Sequence, residues 1–156
     1  PHHEAVIALA EAALPTLTDP VLIEMAEGII AAQTSENAQL LEWRLAWFGD
    51  ATPAMDDATM GQMMEAMPVG SMDDMMMQMD PHMQVTTFCA ADDPDRAFAE
   101  QVLAHHLMAV HASEIAVTEA EHPELVAFAE QVIIDQQREI DILRAYLDGA
   151  EATPTS

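Results

Sequence analysis

An all-α protein, an antiparallel four-helix bundle assembled from two duplicated helical hairpins with a Met-rich connection, is the fold that the sequence predicts. Three observations carry it. The first part of the chain lies over the last part at a shift of 103 residues without a gap. Apolar positions recur at helical spacing, and no stretch alternates apolar with polar residues as a half-buried strand does.

At that shift His2 and His3 fall on His105 and His106, Glu11 on Glu114, Pro20 on Pro123 and Leu22 on Leu125. Further on, Ala26 and Glu27 fall on Ala129 and Glu130, Ile30 on Ile133, Gln33 on Gln136, Glu36 on Glu139 and Leu40 on Leu143. The chain is therefore read as one domain over 1–156. It comprises a hairpin unit at 1–48, a connector at 49–91, a second hairpin unit at 92–149 and a short tail at 150–156.

The elements follow in order. Residues 2–17, rich in Ala, Leu and Glu, form the first helix. Thr18-Asp19-Pro20 then supplies a cap followed by proline at the first helical position, and the second helix runs to about Phe48, before Gly49. The connector carries short helical and irregular stretches. Asp93-Pro94 starts a helix that runs to about Glu119, and His122-Pro123 opens the last one, ending near Gly149. Two hairpins of this length pair naturally as a four-helix bundle.

Composition narrows the function. The 156 residues include 28 Asp and Glu against four Arg and no Lys, for a net charge of −24 and a pI near 4.1. Nothing supplies the cationic footprint that nucleic acid or an anionic membrane needs. Cations, or a positively charged protein partner, are what such a field attracts, and a saline habitat explains the acidity equally well. The single Cys89 excludes an internal disulfide. No apolar run approaches the roughly 20 residues that span a bilayer. No signal peptide is visible, and because the chain starts inside a helix it reads as a mature or truncated form.

The candidate site lies on the second helix of each hairpin. Leu22, Ala26, Ile29, Gln33, Glu36, Leu40, Trp43 and Trp47 form a seam with alternating spacings of four and three, and Leu125, Ala129, Val132, Gln136, Glu139, Leu143 and Tyr146 repeat it. Both seams place Gln and Glu among apolar residues, where a carboxylate needs a partner. Counting outward from the turns brings His2 and His3 level with Gln33 and Glu36, and His105 and His106 level with Gln136 and Glu139. His105 shares an apolar stripe with Phe98, Val102, Ala109, Ala112 and Ala116. Two pseudo-symmetric clusters of His, Glu and Gln are therefore expected.

Two readings fit them: a buried His–Glu hydrogen bond that fixes register, and metal ligation. An adjacent His pair cannot aim both rings at one partner, which favours the metal. His111, read as one turn below His106, is a further candidate for that site, and Ala8 at the matching place in the first unit makes the two sites unequal. No Glu-x-x-His lies on these seams, so the di-iron carboxylate pattern is not reproduced.

Eleven of the thirteen Met lie between residues 55 and 83. Met60, Met63, Met64 and Met67 follow helical spacing, and Met72, Met75, Met76 and Met79 repeat it beyond Pro68 and Gly70. Three readings remain open. The methionines form an adaptable apolar face, ligate a soft ion such as Cu(I) or Ag(I), or offer a plastic partner surface. His82 and Cys89 lie close by in sequence.

The chain resembles the domain of unknown function 305 family. The resemblance rests on His2-His3-Glu4, on the helix carrying Ile29-Ile30-Ala31-Ala32-Gln33-Thr34-Ser35-Glu36, and on Trp43. In the second unit it rests on Asp95-Arg96-Ala97-Phe98, His105-His106-Leu107-Met108-Ala109-Val110, Gln136-Gln137-Arg138-Glu139-Ile140 and Tyr146. It covers nearly the whole chain, and it implies a ferritin-like fold, a periplasmic or extracellular location and copper rather than zinc or iron. Leu40 and Leu143 depart from it, standing where family members usually carry Met. The first unit also lacks the Asp-Arg-x-Phe lead-in before its His pair.

The expected function is copper sequestration or delivery without catalytic turnover. No nucleophile–base set, phosphate loop or organic cofactor motif is recognisable. The rival readings are an accessory subunit of a larger, membrane-associated assembly, which makes contact through its acidic or Met-rich surface, and a metal-dependent oxidoreductase.

Overall fold

A computed structural model describes residues 2–50, 52 and 77–151 of the chain. Five helices are described in full: α1 (His2–Ala13), α2 (Pro20–Phe48), α3 (Pro81–Cys89), α4 (Pro94–Glu119) and α5 (Pro123–Glu151). No strand occurs among the described residues, so the all-α class holds. The chain divides into two compact units, Pro1–Thr87 and Phe88–Ser156. The first holds the α1–α2 hairpin and the second the α4–α5 hairpin.

In the first hairpin α1 buries Ala5, Val6, Leu9, Ala10 and Ala13, a narrow face of small and branched residues. α2 buries Leu22, Met25, Ala26, Ile29 and Gln33. The first helix ends at Ala13 instead of 17. Pro15 explains this: it has no N–H to donate, and it disfavours helical geometry at Leu14. The chain turns here through Thr16 N–H to Ala13 O at 2.8 Å and Leu17 N–H to Ala13 O at 3.0 Å.

Asp19 then caps α2, its carboxylate accepting from Val21 N–H at 2.8 Å and Leu22 N–H at 3.4 Å, with Pro20 in the first turn. The far end stops at Gly49, whose φ of 71° lies in the left-handed region that glycine adopts without a Cβ penalty. Past Glu36 the seam residues Leu40, Trp43 and Trp47 are only half-buried. Trp43 and Trp47 stack there, with centroids 5.7 Å apart and planes 10° from parallel.

The second hairpin is longer on its first arm. Asp93 caps α4 by accepting from Arg96 N–H at 3.1 Å, and α4 buries Phe98, Ala99, Val102, His105, His106, Met108 and Ala109. Across from it α5 buries Ala129, Val132, Gln136, Ile140 and Leu143. The seam expected from spacing is thus the face that α5 buries, with Leu125, Glu139 and Tyr146 half-buried along it. Among the described residues no helix is long and apolar enough to cross a membrane.

Candidate metal centre

A hairpin with a short turn fixes which residues of its two arms lie level. Here that register joins His3 Nε2 to Glu36 Oε2 at 2.7 Å, and His106 Nε2 to Glu139 Oε2 at 2.5 Å. Both pairs span 33 residues, so one separation serves in both hairpins. The second residue of each double His makes the bond. Neighbours on a helix diverge by about 100°, and the rings of His2 and His3 accordingly meet edge to face at 6.0 Å and 73°. Those of His105 and His106 do so at 5.9 Å and 64°.

The surroundings differ. The His3 and Glu36 side chains are 16% and 24% exposed, whereas those of His106 and Glu139 are 0% and 31% exposed. The second pair therefore has a fully buried imidazole held by a carboxylate that still reaches solvent. Its Nδ1 is buried and has no hydrogen-bond partner. The same is true of Gln33 Oε1 and Gln136 Oε1, repeat-equivalent carbonyls one turn before each Glu on the same face. A buried acceptor left without a donor costs about 1–3 kcal/mol. The same buried carbonyl recurs in both hairpins.

The donor chemistry suits a metal ion of intermediate softness. Imidazole nitrogen, carboxylate oxygen and amide oxygen fit Cu(II) or Zn(II) better than a purely soft cation. Among the described residues, however, no three His, Cys, Asp or Glu side chains converge as a ready-made shell. Each centre is a His–Glu pair with a buried Gln beside it.

The remaining sequence candidates are placed as follows. His111 does not join His106 and Glu139: its ring faces Glu114, with Nδ1 3.6 Å from Oε2. Five residues along a helix is a rotation of about 140° from His106, which puts it on another face. His82 is exposed at the start of α3, where its N–H donates to the Asp80 carboxylate at 2.8 Å. Cys89 is exposed, not packed inside. Met79 is half-buried, and Met60, Met63, Met64, Met67, Met72, Met75 and Met76 lie outside the described residues.

Met108 escaped the sequence reading because it stands apart from the Met-rich connector. It is buried one turn from His105, and its counterpart in the first hairpin is Ala5, so only the second hairpin has a thioether there. Helical spacing from the double His was the signal that could have found it.

The model of a family described as a domain of unknown function (DUF305) matches residues 1–147. The chain belongs to this family. Among solved structures it is similar to CopM in the Cu(II)-bound form, with 30% identity, a TM-score of 0.76, and coverage of 95% of this chain and 89% of that one. CopM in the Cu(I)-bound form is 26% identical with a TM-score of 0.73, covering 96% and 89%. The Ag-bound form obtained by soaking is 27% identical with a TM-score of 0.72, covering 96% and 89%. No curated protein matches the chain by sequence.

Proposed function

We propose that this protein binds copper as cargo, for sequestration or delivery outside the cytoplasm, without catalytic turnover. One observation carries the reading: the same His–Glu pair is built twice, at the same separation, in both hairpins. A pair that served only to fix register would not need a doubled His in each copy, nor a buried carbonyl without a donor beside it. CopM, to which the chain is similar along its length, is known in Cu(II)-bound, Cu(I)-bound and Ag-bound forms, which supports copper as the cargo. The acidic surface favours capture of cations from solution. Export agrees with that role and rests on the family resemblance.

In this reading the imidazoles hold Cu(II), and the Met-rich connector takes Cu(I) through thioethers, which need no deprotonation. Deletion of residues 55–83 tests the division. It is expected to remove a Cu(I) fraction that persists in acid under reducing conditions, and to leave Cu(II) at the His pairs. Unchanged Cu(I) binding after the deletion would assign the methionines to packing or to a partner surface.

A second reading, an accessory subunit of a larger assembly, is favoured by Leu41, Leu45 and Phe48, exposed apolar residues spaced at helical intervals along α2. Copurification of metal-free protein with a fixed partner would support it.

A further inference from the structure

We infer that in the second hairpin Glu139 is a positioning residue and not a metal ligand, and that the cation is taken by His106 Nδ1 together with the Gln136 side-chain carbonyl. The inference rests on the copper reading and adds which atoms do the binding. A carboxylate can only accept, so in the neutral imidazole the shared proton sits on Nε2 and Nε2–H donates to Glu139 Oε2. The nitrogen lone pair is then on Nδ1. That atom is buried, as is the whole ring at 0% exposure, and no hydrogen bond satisfies it.

Gln136 is 5% exposed and its Oε1 is likewise buried without a donor. It lies three residues before Glu139, so the amide stands one turn along the face that already meets His106. Two electron-pair donors with no protons to receive are thus brought to the same stretch of one hairpin. The arrangement is that of a carboxylate–histidine–metal relay, in which the outer carboxylate fixes tautomer and ring orientation and raises the basicity of the ligating nitrogen. Gln33 repeats the buried carbonyl in the first hairpin, where the imidazole is partly open to solvent.

The test is nitrogen NMR of the full chain labelled with 15N-histidine, with Zn(II) as a diamagnetic stand-in for Cu(II). The apo protein should show His106 with its proton on Nε2. Addition of Zn(II) should shift Nδ1 while Nε2 keeps its proton. Glu139→Gln should weaken binding by about 10- to 100-fold, as loss of an outer partner does, with the metal still on Nδ1. Gln136→Leu should weaken binding while leaving the apo protein as stable or more so, because it removes an unsatisfied carbonyl. If Zn(II) displaces the Nε2 proton and shifts Nε2, Glu139 has been pushed aside and the inference is overturned, with the copper reading intact. If no histidine responds to Zn(II), and Cu(II) is not retained either, both are overturned.

Discussion

Glu36 and Glu139 accept the same bond from unequal partners, and the difference sets their contributions. His106 has no exposed surface, so removing its acceptor leaves a buried donor without water to replace it. His3 is partly exposed and can turn to solvent. Glu139→Ala should therefore destabilise the metal-free protein by about 1–3 kcal/mol, and Glu36→Ala by less than about 1 kcal/mol. Urea denaturation with an unchanged m-value measures both, and equal losses would contradict the asymmetry. These pairs were legible because a carboxylate in an apolar seam demands a partner, and turn position says where to look. His111 was misplaced because counting residues along a helix conveys distance but not rotation, and its five-residue offset swings it away. The exposure of Cys89 was equally hidden, since it depends on how α3 packs.

At the scale of elements, caps and register were the readable part. Asp19, Gly49 and Asp93 each end or begin a helix where their chemistry places them, and α4 has the bounds that its Asp93-Pro94 start and Glu119 end suggested. A first helix over 2–17 passes over Pro15, which is in plain view in the sequence and ends α1 at Ala13. The turn after α2 offers a check on the local electrostatics. Hydrogen bonds from the Thr52 N–H and side chain, helped by Arg44, hold the Asp50 carboxyl below its ordinary value of 3.8. The sign follows directly. A depressed value means that the charged form stabilises this turn above the unfolded pKa, and that the contribution is lost as pH falls through the folded one. The Thr52 amide resonance should therefore titrate at a pH below 3.8. Titration at or above that value would mean that the Asp50–Thr52 bond is absent in solution.

Across the whole molecule, the two hairpins carry the same His–Glu separation, alike without being equal. The hairpins share the His–Glu–Gln set, but only α4 adds Met108, and of the two Glu-bonded imidazoles only that of His106 is fully buried. The helical class and the family were legible from the chain. What was not legible is exposure, because burial depends on tertiary packing that a periodic pattern does not fix.

Equilibrium dialysis against Cu(II) under oxidising conditions tests most directly whether the paired histidines hold Cu(II). The wild-type chain should retain about two more equivalents at neutral pH than His3→Ala/His106→Ala. That difference should shrink on acidification, because a protonated imidazole has no lone pair to give a metal. Equal retention by both proteins at neutral pH, with the variant folded by circular dichroism, would contradict the account and return the His–Glu pairs to a purely structural role.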